Sequence, residues 1–263
     1  MSDRLFSLFA YLKFIVKSTT KYYMHSPFVY DLMAHVLEKK NTETELLFIQ
    51  TFRQQLRQEK AIKLNFQPIG AIAKASTKSL ADIEKNLSIP HRFGARLFHC
   101  IQRYQYRTIV EIGTCIGIGA IYLAKANQEA TVYTLEGNPD CYRKAAQLFA
   151  QNDIKNIEII PGLFEDSLPS LLQHLNKIDL VVIDGNHQYE STVRYFNQLL
   201  PHLHEDSLVV IDDIYWSKEM NRAWTEICQH NRVTLSLDFY RNGFLFFKKN
   251  RLEKEHFLIQ LFD

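Results

Sequence analysis

From His91 onward, short β-rich apolar runs alternate with segments of helical pattern, and nothing else in the chain constrains its fold as much. The runs are RTIVEIG, TVYTLEG, IEIIPG, DLVVIDG and SLVVIDD, each followed by a helix-like stretch. A strand that returns through a crossover helix pairs parallel with its neighbour, so this pattern predicts a parallel sheet covered by helices on both faces. Two further runs, VTLSLDFY and GFLFFKK, are separated only by a short link containing Asn242 and Gly243, which predicts a β-hairpin. The expected fold class is α/β, a doubly wound sheet of five parallel strands plus a closing antiparallel hairpin.

Upstream the texture is helical. The segment HSPFVYDLMAHVL offers Ser26 as a cap and Pro27 as a first helical residue, where a missing N–H costs nothing. TETELLFIQTFRQQLRQ repeats apolar residues at three- and four-residue intervals, and another helix is expected from Ser79 or Leu80 to Leu87, ended by Pro90. The organisation expected is an N-terminal helical extension over 1–88, an α/β domain over 89–250 and a C-terminal tail over 251–263. Leu5, Phe9, Leu12 and Val16 form one stripe at helical spacing near the N-terminus. The stripe is expected to pack on the protein itself, with weak peripheral membrane contact through residues 4–16 as the other reading. Lys13 interrupts any signal-peptide core, and no window supplies the roughly 20 apolar residues of a membrane span.

The 263 residues are 46% hydrophobic and 23% charged, which suits a soluble globular protein. A net charge of +2, from 31 basic and 29 acidic residues, gives no field that demands nucleic acid as a partner. Cys100, Cys115, Cys141 and Cys228 form no Cys-x-x-Cys pair, against both a zinc site and a disulfide framework, so a reducing cytoplasm is expected. A homo-oligomer is allowed, its order unread.

Ligands of doubly wound sheets bind at the carboxyl ends of the strands. The first run ends in VEIGTCIGIGA, where Gly113, Gly117 and Gly119 permit tight turns and close backbone approach. A dinucleotide fingerprint needs a third glycine where this chain has Tyr122, so that fingerprint is not met. Glu111 would repel a pyrophosphate and attract a cationic group. Glu136 ends the second run about 20 residues beyond the glycine loop, the place of an acid that accepts ribose hydroxyls. The ligand suggested is a cationic nucleoside without phosphates.

EIGTCIGIGAIYLA followed by YTLEGNPDCYRKAAQLF resembles motifs I and II of the class I, Rossmann-like S-adenosylmethionine-dependent methyltransferases, closest to the catechol O-methyltransferase-like group. The resemblance runs from about Ile109 to Asp213. It implies an S-adenosyl-L-methionine site in which Glu111, Gly113, Thr114 and Gly117 shape the methionine end and Glu136 holds the ribose. Asn138 positions that turn, and Phe164 or Glu165 lies beside the adenine.

The fourth and fifth parallel runs end in VVIDGNHQYE and VVIDDIYW, which bring Asp184, Asp212 and Asp213 to one rim. Three carboxylates suit a hard cation such as Mg2+. The catechol-type enzymes that the chain resembles carry an Asp-Asn pair at the second position, whereas this chain has Asp-Asp, so a metal site and a pair of capping or cofactor-side carboxylates both stand as readings. His187, three residues after Asp184, takes the place of that group's lysine base and titrates in the range a general base needs; an ordering role in its loop is the other reading. The expected enzyme is an O-methyltransferase acting on a small hydroxylated acceptor; Tyr22, Tyr23, His25, Phe28, Tyr30 and Trp216 would line a pocket for an aromatic one unless those helical aromatics serve the core. The alternatives are a metal-independent methyltransferase on a macromolecule or lipid, and a non-catalytic cofactor-binding module.

Overall fold

The computed structural model describes residues 3–20, 26–68, 74–249 and 253–261. Two compact units result: one from Met1–Glu38 with Leu172–Asp263, the other from Lys39–Leu171. Among the described residues no helix is long and apolar enough to cross a membrane.

The first unit opens with α1 (Asp3–Lys17) and α2 (Pro27–Leu32), which runs on into a π-helical turn at Met33–Leu37. Pro27 starts α2 as its sequence predicts. The outcome differs for α1. Its packed face carries Ser7, Tyr11 and Phe14: Ser7 Oγ donates to the Tyr215 carbonyl at 2.5 Å, the Tyr240 hydroxyl donates to the Ser7 carbonyl at 2.7 Å, and the Tyr11 and Phe14 rings lie against Tyr240. The stripe of Leu5, Phe9, Leu12 and Val16, expected to pack, points outward instead, with Val16 84% exposed. The docking is decided by aromatic and hydrogen-bonding partners on the receiving loops, which the helical period of α1 does not reveal.

The second unit contains α3 (Thr44–Leu56), β1 (Lys63–Phe66), β2 (Ser76–Ser79), α4 (Leu80–Asn86) and α5 (His91–Tyr104), then β3 (Thr108–Ile112), α6 (Ile118–Ala126), β4 (Thr131–Glu136), α7 (Pro139–Gln151), β5 (Ile157–Pro161) and α8 (Phe164–Leu172). Ser79 caps α4 by accepting from the Asp82 N–H at 3.1 Å, as the expected helix start requires. β1 and β2 form an antiparallel pair within a stretch expected to be helical. Only Leu64 and Phe66 are buried there, too short an alternation to announce a strand. β3, β4 and β5 pair in parallel in that order, with Glu111 opposite Thr134 and Glu136 opposite Pro161.

The chain then re-enters the first unit with β6 (Ile178–Ile183), α9 (Tyr189–Leu199), β7 (Leu203–Ile211), α10 (Lys218–Gln229), β8 (Leu235–Asp238), β9 (Gly243–Phe246) and β10 (Glu255–Leu258). β6 and β7 are parallel, β9 runs antiparallel to both β7 and β8, and β10 adds a parallel partner to β8. The five parallel strands and the closing hairpin match the sequence pattern. β10 is an addition, in the segment read as a tail. Every residue of β8 and β9 is buried, which explains the apolar run of β9 and places Ser236 and Asp238 of β8 among the buried polar residues. Trp224 from α10 lies so close to Gly243 that a Cβ there would collide with its ring.

Candidate functional site

In the second unit the β3–α6 turn is built on two left-handed glycines, Gly113 at φ 110° and Gly117 at φ 87°. A Cβ on Gly117 would stand 2.5 Å from the Phe149 ring, so that position admits no side chain. Gly119 opens the first turn of α6, and a Cβ there would collide with Glu111 Oε1. Glu111 therefore lies folded under the helix start, nearly fully buried, with Oε2 accepting from Thr134 Oγ1 at 2.5 Å. Burial, reinforced by nearby Glu136 and opposed by the Thr134 bond, pushes its carboxyl up to about 8. Thr114 Oγ1 meets Thr134 Oγ1 at 2.6 Å and extends this buried chain.

Glu136 ends β4 with both oxygens engaged: Oε2 accepts from the Cys115 N–H at 2.6 Å and Oε1 from the Asn138 N–H at 2.7 Å. Its carboxyl is raised to about 7 by burial, against the backbone donors that favour the ionised form. Cys115, at φ 50°, holds the strained turn that aims its N–H at this acid. Asn138 caps α7 by accepting from the Asp140 and Cys141 N–H groups and donates to the Asn65 carbonyl at 2.8 Å. Gly162 N–H donates to the Glu136 carbonyl at 3.0 Å, and a Cβ at Gly162 would meet nothing within 4 Å. An open cradle thus lies beside Glu136. Phe164, half-buried, and Glu165, exposed, begin α8 immediately afterwards.

In the first unit a separate cluster of acids forms at the ends of β6 and β7. Asp184 and Asp212 share a side-chain hydrogen bond. Burial, then the neighbouring Asp213, raises Asp212 to about 7. Asn242 Nδ2 donates to Asp212 Oδ1, and Arg241 Nε stands 3.7 Å from Asp212 Oδ1 and 3.6 Å from Asp213 Oδ1. His187 Nε2 lies 3.6 Å from Asp184 Oδ1, and its ring centroid lies 5.7 Å from that of Trp216, which is half-exposed. Burial holds His187 below its ordinary value, with Asp213 opposing and Arg241 adding to the effect, so the imidazole is neutral at pH 7. Asn186 at φ 70°, His187 at 44° and Asp213 at 56° all occupy left-handed backbone, strain concentrated at two strand ends.

Asp184, Asp212 and Asp213 carry two readings in the sequence, a metal site or capping and cofactor-side carboxylates. Among the described residues no three His, Cys, Asp or Glu side chains are placed to hold a metal ion. The charge of the acids is instead met by the Arg241 guanidinium, the Asn242 amide and the hydrogen bond between Asp184 and Asp212. Phe28 packs its ring on Phe246 at 5.1 Å, a core contact, and Tyr30 is exposed. Tyr22, Tyr23 and His25 lie outside the described residues. Four contributors escaped the sequence reading: Thr134, Cys115, Asn65 and Arg241. Each acts on a site residue across the fold or through its backbone, and only Cys115, inside the glycine loop, and Arg241, next to the Asn-Gly link, stood at places already marked as turns.

Residues 110–214 match a family model described as "Methyltransferase domain". Among curated protein sequences nothing matches the chain. Solved structures do. The SAH-bound methyltransferase PaMTH1 of Podospora anserina is 15% identical with a TM-score of 0.60, over 81% of this chain and 91% of that one. TomG, an O-methyltransferase of Streptomyces achromogenes involved in tomaymycin synthesis and solved with SAM, is 18% identical at a TM-score of 0.58, over 84% and 95%. A putative caffeoyl-CoA O-methyltransferase from Staphylococcus aureus is 17% identical at a TM-score of 0.56, over 63% and 88%. These likenesses establish the fold.

Proposed function

We propose, from the match of residues 110–214 to a family model described as a methyltransferase domain, that this chain is a class I, Rossmann-like methyltransferase that uses S-adenosyl-L-methionine to methylate an oxygen of a small hydroxylated aromatic acceptor. The observation that carries the cofactor reading is Glu136: a carboxylate at the end of β4, fixed by two backbone N–H groups beside an open glycine cradle. That donor set fits a nucleoside. Its carboxylate accepts the ribose hydroxyls, the Gly137 and Gly162 turns leave room for a flat base near Phe164, and the buried Glu111 and Thr114 brace the glycine turn against the methionine end.

When bound, the cofactor supplies a methyl group activated by a sulfonium, so the protein needs no nucleophile of its own. The chain's part is to orient the acceptor, exclude water and take one proton. His187, neutral and strained into its loop, is the base. With Nε2–H directed toward Asp184, Nδ1 holds the lone pair that receives the hydroxyl proton. Glu136 and the glycine turn would hold the cofactor, which would give up its methyl group to the acceptor oxygen and leave as a neutral thioether. Trp216 offers the half-exposed ring beside His187 on which an aromatic acceptor rests.

The test is thermal unfolding with S-adenosylhomocysteine, NAD or buffer, followed by transfer of label from methyl-labelled cofactor to hydroxylated aromatics. A specific ligand at a hundredfold excess over its Kd adds about 2.7 kcal/mol of stability. Stabilisation by S-adenosylhomocysteine alone is the expected result; stabilisation by NAD alone ends the proposal.

A further inference from the structure

We propose that the Arg241 guanidinium takes the place at the acid cluster that a divalent cation would otherwise fill, and that it binds an anionic oxygen of the acceptor. The proposal rests on the methyl-transfer reading above and names what its acceptor carries. Arg241 sits in the β8–β9 turn, whose backbone is tied to the loop after β7: the Ile214 N–H donates to the Arg241 carbonyl at 3.1 Å, and the Arg241 N–H donates to the Phe239 carbonyl at 2.8 Å. Tyr240, at φ 69°, makes the left-handed bend that presents it. The next residue, Asn242, donates to Asp212, so the turn is bound to the acids by backbone and side chain together.

Both ion pairs run through one atom, Nε, at 3.6 and 3.7 Å from the two aspartates. The side chain is 52% exposed, so the guanidinium is open to an oxygen from outside. A planar fork of donors next to a neutral base is suited to a carboxylate or a phenolate, which it grips more specifically than an ammonium would. A divalent cation entering between Asp212 and Asp213 would stand within a few ångströms of this fixed positive charge, and repulsion at that range removes its advantage. The cluster thus takes acidic acceptors without a metal.

The experiment compares wild type, Arg241→Met and Arg241→Lys, each saturated with S-adenosylhomocysteine. Arg241 is half-exposed, so the variants keep the fold. Thermal unfolding with and without millimolar Mg2+ should leave the wild-type midpoint unchanged and raise that of Arg241→Met by about 2 °C or more, since the freed acids then accept the cation. Calorimetric titration with protocatechuate, a carboxylated catechol, and with catechol itself should give the wild type a preference for the acid of about tenfold or more, erased by Met and partly kept by Lys. A Mg2+ shift in the wild type, equal or absent binding of the two probes, or Arg241→Met behaving as wild type overturns the proposal. Those outcomes leave the methyl-transfer reading intact as long as S-adenosylhomocysteine stabilises the wild type; its failure to do so removes that reading instead.

Discussion

Thr134 Oγ1 donates to Glu111 Oε2 at 2.5 Å across the β3–β4 pair, and this bond braces a carboxyl that burial lifts to about 8. The linkage has a definite sign. Between the ordinary value of 4.5 and about 8 the folded chain keeps a proton that the unfolded chain has released. Stability from neutral Glu111 is therefore full below pH 4.5 and is lost as pH rises through about 8. Glu136, lifted to about 7, acts in the same direction. Urea melts at pH 6 and pH 8.5 should show the wild type losing on the order of 1–3 kcal/mol and Glu111→Gln losing clearly less. Equal losses would assign the slope to other groups.

Gly117 is the position least tolerant of a side chain. At φ 87° with the Phe149 ring 2.5 Å from any Cβ, Gly117→Ala should cost about 2–4 kcal/mol through backbone strain and overpacking together. Gly162→Ala, strained at φ 121° but with open space around it, should cost about 1 kcal/mol. Denaturant unfolding of the two variants separates the contributions, and equal costs would mean that the Phe149 contact is unimportant.

Glu136→Gln replaces one acceptor oxygen by a donor facing a backbone N–H. Affinity for S-adenosylhomocysteine should fall about tenfold or more by calorimetry. Asn138→Ala, which removes the α7 cap, should lower stability by about 1 kcal/mol. A Glu136→Gln protein that binds with wild-type affinity would take the ribose role away from that residue.

For His187→Gln, kcat should fall about 10²–10⁴-fold while S-adenosylhomocysteine still binds as to wild type. Burial holds this histidine below its ordinary 6.5, so the wild-type rate should rise with pH on the acid side of that value and be level by pH 7. The acid limb should vanish in the variant. Its persistence would point to a different base.

Most of the α/β order was legible because a parallel strand buried on both faces must be an unbroken apolar run, and such runs stand out between helices. The glycine turn and Glu136 were legible for a related reason: backbone that bends through left-handed space and an acid at a fixed distance leave marks in the sequence. Arg241 showed only as a neighbour of the Asn-Gly turn, since its meaning lies in strand β9 inserting between β7 and β8, a pairing that no local pattern reports. The outward stripe of α1 shows the same limit. Periodicity located an apolar face, but Tyr215 and Tyr240, far along the chain, decided which face docks.

The parallel bridge between Thr19 and Ile259 gives the order of synthesis a part in folding. Lys39–Leu171 is continuous in sequence, so that unit can close while the ribosome is still reading the remainder. The segment after α1 meets its strand partner only once Ile259 has emerged, and until then the aromatic pocket for α1 is unfinished too, because Tyr240 comes late. Such distant closure is slow. During translation the α1 helix, apolar on its outward side, waits for its docking surface to be made.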